Sequence, residues 1–265
     1  MARLTPGINF TGSLGNLSAY KMHGVERIVL RAKGGASKKM IQTSPSFENT
    51  RRINAEFSGR STASKCIMRM LWPLKALADY NIAGPLNARM KPVQLLDTES
   101  EFGKRNLMLS KNPGILQGFS LNRGTLIESV IRAPLSGSIT KASFSAQVGI
   151  PELIPDINFR PAVKHPVYSL QAVFGVIPDL FWTTDGYKPS HPDYSRLAAV
   201  WSETSWHPVL MGSEATTLAL KIETIPPDDH FTLMLSVGIR FGSVTGPDTI
   251  QQVKYAGCAK ILSMT

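Results

Sequence analysis

The sequence has little cysteine and no long apolar segment, and both shortages exclude classes of protein. Its 265 residues contain only Cys66 and Cys258, without a Cys-x-x-Cys spacing, so a disulfide-stapled miniprotein is excluded and we expect two reduced, packed thiols. Uninterrupted apolar runs span a few residues, whereas a transmembrane helix needs about 20 apolar residues. The first residues lack the apolar core of a secretory signal. We expect a protein without a membrane span, located in the cytoplasm or within an assembled particle.

Phosphate-binding and catalytic motifs are also absent. The sequence contains no Gly-x-x-x-x-Gly-Lys-Ser/Thr, Gly-x-Gly-x-x-Gly or Gly-x-Ser-x-Gly, which argues against P-loop, dinucleotide-binding and nucleophile-elbow enzymes. Ser138-Ile-Thr-Lys141 matches Ser-x-x-Lys without its companion motifs. The five histidines are scattered and lack the spacing of ligands that share a metal. We therefore predict that the protein is not an enzyme and holds no metal or other cofactor.

The net charge of +10 is confined to the first half of the chain. Residues 1–132 carry 20 Lys and Arg against 8 Asp and Glu, whereas residues 133–265 carry 9 against 11. This asymmetry indicates a nucleic acid, an anionic surface or an acidic neighbouring subunit as a partner. The alternative is a solvated basic face without a dedicated partner, because the charges are interspersed with apolar residues.

The N-terminal region predicts a hairpin followed by helices. Two runs compatible with strands, residues 17–22 and 26–32, flank His23-Gly24, where glycine accepts the positive φ of a tight turn. A mobile or extended basic loop is expected from there to Ser46. The helical spacing of apolar residues then predicts a first helix over 45–57, which Ser58-Gly59 weakens.

A second helical pattern covers residues 63–78, and Pro73 must kink or divide it. We expect Gly84-Pro85 to end this segment. Residues 90–122 read as an irregular connector that carries one short helix over 95–102.

Two basic residues of this pattern, Lys65 and Arg69, lie four residues apart on one predicted helix face. Like charges at that spacing repel each other unless an anion lies nearby. Glu56 and a bound phosphate are the two candidates for that anion.

The second half of the chain has the two-residue period of strands. Residues 230–241 give the clearest signal, with six apolar residues on one face and Thr232, Ser236 and Arg240 on the other. Further strands are predicted over 217–223, 251–262, 168–176, 125–132 and 141–148. Turns rich in Pro, Gly and Asp and one wet face predict an antiparallel β-sandwich. The aromatic-rich residues 178–208 form an insertion, which serves either as an interface or as packing over one end of the sandwich.

Four segments carry a resemblance to a known family. They are Gly12-Ser-Leu-Gly-Asn-Leu-Ser-Ala-Tyr-Lys-Met-His-Gly, Val29-Leu-Arg-Ala-Lys, Thr43-Ser-Pro-Ser-Phe-Glu-Asn-Thr-Arg-Arg-Ile-Asn-Ala-Glu-Phe and Tyr255-Ala-Gly-Cys-Ala. In them the chain is similar to an uncharacterised bacterial family known mainly from Bacteroidetes genomes. Its members begin with a Gly-x-x-Gly-Asn hairpin, a basic segment and a helix, and end in a β-domain. The resemblance implies a two-part architecture and no particular activity.

These observations together predict an α+β protein, with a basic hairpin and helical region over residues 1–122 and a mainly antiparallel β-sandwich domain over 123–265. Our first hypothesis is a structural subunit that self-assembles into a filament, tube or coat, its basic half facing a polyanion or a neighbouring copy. The alternative is a monomer or small oligomer that binds DNA or RNA without sequence preference. The predicted polyanion-binding residues are Arg27, Arg31, Lys33, Lys38, Lys39, Arg51, Arg52, Arg60, Lys65 and Arg69. An enzyme with a site that the sequence does not reveal, and a carbohydrate- or protein-binding sandwich, stay open.

Overall fold

The computed structural model describes residues 2–3, 10–22, 25–161, 165–246 and 249–265. The chain divides into two compact units, Met1–Arg51 and Arg52–Thr265. This division differs from the predicted boundary between residues 122 and 123, because helices of the first half and strands of the second half share one apolar cluster. The fold is α+β, as predicted, and its sheets are mainly antiparallel.

The first unit contains a four-stranded antiparallel sheet of order β1-β4-β3-β2. Its strands are β1 (Ala2–Arg3), β2 (Gly12–Leu14), β3 (Leu17–Tyr20) and β4 (Val29–Ala32). The pairing of β3 with β4 confirms the predicted hairpin, whose turn at His23-Gly24 lies outside the described residues. The expected basic loop is in part helical, because α1 (Lys38–Thr43) begins behind Ser37, whose hydroxyl accepts the amide hydrogen of Met40.

The longest helix is continuous where the sequence suggested a weak point. A 3-10 turn (Pro45–Phe47) leads into α2 (Glu48–Met70), which passes through Ser58-Gly59 without interruption. Glycine is required at position 59 because a Cβ atom there would lie 2.8 Å from the ring of Tyr187. The predicted weakness at this site was therefore wrong: the glycine admits a neighbouring side chain and does not break the helix.

Pro73 divides the next segment as predicted, because α2 ends before it and a 3-10 helix (Trp72–Leu77) follows. The prediction that Gly84-Pro85 ends a helix was wrong. Both residues lie in the first turn of α3 (Ala83–Leu95), where the backbone amide that proline lacks has no helical partner in any case.

The short helix predicted over 95–102 is absent from the described structure. There the buried carboxylate of Asp97 accepts the amide hydrogens of Glu99, Ser100 and Asn106, and these bonds hold a compact loop. Local bonds from an aspartate side chain compete with helix formation.

The second unit contains the remaining strands. They are β5 (Ser136–Thr140), β6 (Ser145–Ile150), β7 (Val167–Pro178), β8 (Leu180–Thr183), β9 (Gly186–Pro189), β10 (Val200–Glu203), β11 (His207–Pro208), β12 (Thr216–Lys221), β13 (Phe231–Gly246) and β14 (Thr249–Met264). The central sheet has the order β10-β7-β13-β14, with β11 also paired to β7. A smaller sheet has the order β12-β6-β5, and β8 pairs with β9.

Five of the six predicted strands are found, one of them in part. The run 141–148 begins with a 3-10 turn (Lys141–Ser143) before β6. The sixth, 125–132, was wrong, because it contains the short helix α4 (Ile127–Val130). Ile127, Val130 and Ile131 are buried there, at helical and not alternating spacing.

The prediction of one wet sheet face fails for β13. Thr232 and Ser236, assigned to that face, have no exposed surface. One face of the central sheet packs in an apolar cluster with β6 and β12, and the other packs in a second cluster with α2, α3 and the 3-10 helix behind α2. Covered on both sides, β7 and most of β13 have no solvated face.

The aromatic insertion over 178–208 is an ordered part of the second unit. It comprises the β8–β9 hairpin, a 3-10 turn (Pro192–Ser195) and β10. Tyr187 and Tyr194 are buried in the two apolar clusters, whereas Trp201 is exposed. Packing therefore accounts for the two tyrosines.

Candidate functional site

The ten predicted polyanion-binding residues fall in both units of the chain. In the first unit Arg27, Arg31, Lys33, Lys38 and Lys39 are exposed, and Arg51 is partly buried. In the second unit Arg52, Arg60, Lys65 and Arg69 follow one another along α2. Five of the ten, from Arg51 to Arg69, lie on α2, and the other five precede that helix in the chain. Several of the ten have partners within the protein.

Arg51 caps a helix. Its Nη1 donates hydrogen bonds of 2.8 Å to the carbonyl oxygens of Ile41 and Ser44, at the end of α1. A cation at a helix C-terminus satisfies the last carbonyl groups and stabilises the helix dipole. Lys33 likewise donates from Nζ to the carbonyl oxygen of Gly15, at 3.2 Å. Both cations therefore bind backbone of their own unit.

Arg69 is anchored in the second unit. Its guanidinium donates to the carbonyl oxygens of Tyr194 at 2.9 Å and Ser195 at 3.2 Å, and so ties α2 to the aromatic insertion. Arg60 lies over the ring of Phe57, with 5.5 Å between its Cζ and the ring centroid. These contacts position both arginines without using their net charge.

Glu56, which the sequence suggested as the anion for Lys65 and Arg69, pairs with another residue. One oxygen of Glu56 accepts from Arg105 Nε at 2.8 Å and from the amide of Gly103 at 3.0 Å. Glu56 is thus neutralised by a residue far along the chain, and Lys65 forms no ion pair with any residue that the structure describes.

Lys65 and Arg69 instead line an apolar groove of about 930 Å³ in the second unit. Its walls are α2, the residues that follow it, and parts of the aromatic insertion and β14. The lining residues are Thr62, Lys65, Cys66, Met68, Arg69, Leu71, Trp72, Lys75, Ala78, Asp79, Tyr80, Asn81, Ile82, Pro178, Pro189, Tyr194, Ser195 and Tyr255. Three cations and one carboxylate thus accompany a mainly apolar surface. The carboxylate, Asp79, accepts the amide hydrogens of Arg123 and Gly124.

Tyr255 reaches the groove from a bulge in β14. Arg240 pairs with Gly257 and Gly242 with Gln252, so β13 advances by two residues while β14 advances by five. The extra residues place Tyr255 at φ 61°, in the left-handed region, with 72% of its surface exposed. Gly257, at φ 143°, is required because a Cβ atom there would collide with the carbonyl oxygen of Ile239.

Burial raises the pKa of two side chains that line the groove, Cys66 and Tyr194. Burial raises the pKa of the Cys66 thiol, and the opposing charges of Arg69 and Lys65 do not offset it. Burial and the hydrogen bond to Asp228 raise the pKa of Tyr194, whose hydroxyl donates to Oδ1 of Asp228 at 2.5 Å. A protonated thiol is a poor nucleophile. Because the groove is mainly apolar and carries three cations against one carboxylate, it suits binding of an apolar group that carries negative charge.

Two of the three cations of the groove, Lys65 and Arg69, were among the residues predicted from the sequence, whereas Lys75 and the apolar wall were not. Trp72 is exposed although it lies in an apolar run, and no periodicity signals that. Tyr255 and Gly257 belong to the Tyr-x-Gly-x-Ala pattern, where an aromatic residue two positions before a glycine was the available signal.

Two findings concern the chain as a whole. No helix in its described part is both long enough and apolar enough to cross a bilayer. The chain matches no protein-family model, no curated protein and no solved structure.

Proposed function

We propose that the protein is a structural subunit that assembles with copies of itself through its N-terminal unit. The observation that carries the proposal is the small core of that unit. Among its described residues only Ala19, Ile28 and Val29 are buried. A unit of about 50 residues needs an extensive apolar core to offset the conformational entropy lost on folding. Three buried side chains among the described residues are few for such a unit, and we infer that the unit gains further stability from a surface of another copy.

The open edge of the N-terminal sheet supports the same conclusion. All three residues of the edge strand β2 are exposed, and Leu14 has 65% of its surface accessible. Monomeric proteins protect such edges with charge, proline or a covering loop, because an exposed edge accepts a strand from another chain. β2 consists of Gly12, Ser13 and Leu14 and carries neither charge nor proline. We infer that the edge of one copy pairs with a strand of the next.

The second unit would supply the rigid body of each subunit. β6 and β12 of the smaller sheet share an apolar cluster with β7 and β13 of the central sheet. We infer that these two sheets pack as a β-sandwich, which is stiff enough to serve as a repeating block.

A second candidate function rests on the charge of the N-terminal unit. Residues 1–51 carry 8 Lys and Arg against 2 Asp and Glu, and Arg27, Arg31, Lys38 and Lys39 are exposed. An assembly that presents these residues to a lumen or groove would neutralise the phosphates of DNA or RNA. Replacement of Lys38 and Lys39 by glutamate is then expected to reduce the retention of labelled nucleic acid and to make that retention less dependent on salt. Replacement of both by glutamine, which removes the positive charge without adding a negative one, is the control.

Blocking the edge strand tests the main proposal. Leu14 and Leu17 close the turn of the β2–β3 hairpin as a hydrogen-bonded pair, so the amide of Ser13 points to the open side of the sheet. Ser13→Pro removes that donor and leaves the ladder to β3 intact, whereas Ser13→Ala retains it. We expect wild type and Ser13→Ala to form the same large assemblies in sedimentation velocity and negative-stain microscopy, and Ser13→Pro to form smaller ones. A monomeric wild type, or equal assemblies of all three proteins, contradicts the proposal.

A further inference from the structure

Three strongly exposed apolar side chains of the described structure, which include the two most exposed ones, lie on two neighbouring loops of the second unit. Leu210 and Met211 have 89% and 81% of their surfaces accessible, and Ile157 has 68%. The loops, residues 152–157 and 209–214, are joined by the backbone pair of Leu153 and Ser213, whose amide and carbonyl groups bond at 2.8 and 3.1 Å. We call the exposed surface of these loops the acidic patch, for the charges that it carries.

Glu152, Asp156 and Glu214 are the exposed carboxylates of the acidic patch. Within the residues that the structure describes, neither Glu152 nor Glu214 forms an ion pair. Two cations of the described residues are near: Arg160 donates from Nε and Nη2 to the backbone oxygen of Asp156, and the backbone amide of Arg132 donates to the carbonyl oxygen of Asn158. The patch therefore combines exposed apolar side chains with a net negative charge.

The patch is rigid although it is exposed. Asn158 accepts the amide hydrogen of Ile154 at 2.7 Å and donates to the carbonyl oxygen of Glu152 at 2.8 Å. Asp156 is held at φ 62°, a conformation that costs a non-glycine residue energy unless its surroundings impose it. Loops that are already ordered lose little entropy on binding, and an apolar patch on such loops marks an interaction site.

The groove has the complementary character. It is mainly apolar, and Lys65, Arg69 and Lys75 outnumber its single carboxylate, Asp79. Since the guanidinium of Arg69 binds two carbonyl oxygens, the ammonium groups of Lys65 and Lys75 are the exposed charges left for an acidic partner. Opposite charges around apolar surfaces select the partner and orient it.

The two surfaces border mainly different apolar clusters. Leu153 of the patch packs in the cluster between the central sheet and the smaller sheet, whereas Leu71 and Ile82 of the groove pack in the cluster between the central sheet and the helices. The central sheet separates the two clusters. Both surfaces are open within one subunit, because Leu210 and Met211 of the patch and Lys75 of the groove are exposed.

We propose that the acidic patch of one copy binds in the groove of the next. Two different surfaces then meet in a head-to-tail contact, which extends into a ring or an open filament according to the rotation between copies. The inference rests on the proposed function, since it names a second contact of the same assembly. It requires neither the N-terminal edge nor a polyanion.

Charge reversal in the Ser13→Pro background isolates this contact. One variant carries Lys65→Glu and Lys75→Glu, so its groove and its patch are both acidic. The other carries Glu152→Lys and Glu214→Lys, so both of its surfaces are basic. All four residues are exposed, and circular dichroism and thermal unfolding of each variant are expected to match those of the Ser13→Pro parent.

We expect the parent to self-associate and each charge-reversed variant alone to associate about tenfold more weakly, because like charges then meet. An equimolar mixture of the two variants restores association, since each groove finds a patch of opposite charge. Sedimentation equilibrium measures all four samples. A monomeric Ser13→Pro parent, unchanged association of either variant, or a mixture that stays dissociated overturns the head-to-tail contact. If wild type assembles while the parent is monomeric, the proposed function stands without it.

Discussion

Glu56 Oε1 and Arg105 Nε lie 2.8 Å apart, with 9% and 18% of their side chains exposed. The pair joins α2 to the loop that follows α3, and the same oxygen accepts the amide of Gly103. Removal of one partner from a largely buried pair leaves the other charge uncompensated.

Glu56→Gln is expected to lower the free energy of unfolding by about 2 kcal/mol, less than for a fully buried pair because water reaches Arg105. The matched control is Glu101→Gln, which breaks the exposed contact of Glu101 with Lys104 and should leave stability unchanged. Urea unfolding at neutral pH measures both. Equal effects of the two substitutions would mean that burial does not strengthen the Glu56 pair.

Gly59 is expected to tolerate no side chain. An added Cβ atom would lie 2.8 Å from the Tyr187 ring, and overpacking of this kind costs about 1–3 kcal/mol. Gly84→Ala is the control, because it also lies in a helix and nothing lies within 4 Å of its added Cβ; alanine there gains up to about 1 kcal/mol in helix propensity. Thermal unfolding should therefore separate the two alanine variants in opposite directions, and a stabilised Gly59→Ala would refute the close packing.

Stability is expected to fall at alkaline pH. Burial, with the nearby charge of Glu56, raises the pKa of Tyr187 from 10.0 to about 12. The unfolded chain therefore loses this proton before the folded chain does, and the stabilisation, complete below pH 10, is lost as the pH rises to about 12.

Denaturant unfolding between pH 9 and about pH 12 checks the alkaline prediction, with Tyr187→Phe as the comparison. The variant is less stable at pH 9, since the Tyr187 hydroxyl donates to the carbonyl oxygen of Arg105, and its stability should decline less as pH rises. Identical slopes for both proteins would contradict the assignment to Tyr187.

The bulge in β14 predicts an unusual response to glycine. Glycine normally weakens a strand by about 0.5–1 kcal/mol, and Lys254→Gly is expected to do so. Tyr255→Gly also relieves the left-handed conformation, worth about 1–2 kcal/mol, and should leave stability nearly unchanged. Urea unfolding compares the two neighbours. Head-to-tail association of Tyr255→Gly should nevertheless weaken, because the groove loses an exposed aromatic side chain. Equal destabilisation at both positions would argue against strain at Tyr255.

Strands were predicted more reliably than helix ends. Alternation of apolar residues identified β13 and β12 because a sustained two-residue period does not fit the face of a helix. The predictions at Gly59 and Gly84-Pro85 were wrong, since a glycine that admits Tyr187 and a proline in a first helical turn have the composition of helix breakers. The prediction of a strand over 125–132 was wrong because so short an apolar run does not by itself separate a strand from a buried helical turn.

The candidate site was predicted only in its charges. Lys65 and Arg69 were identified from their spacing, but the sequence cannot reveal that Arg69 is engaged by the backbone of Tyr194 and Ser195. Nor can it reveal that Glu56 pairs with Arg105, because that contact joins residues far apart in the chain.

The amino-acid sequence was enough to determine the α+β class, the position of most strands and the concentration of positive charge in the first half, because periodicity and charge can be counted over neighbouring residues. Tertiary structure alone decided which faces are buried, which cations bind their own backbone and how Trp72 and Tyr255 come to line one groove. Burial and charge compensation depend on distant segments meeting in space. For that reason the surfaces that we propose to bind a second copy emerged from the fold and not from the sequence.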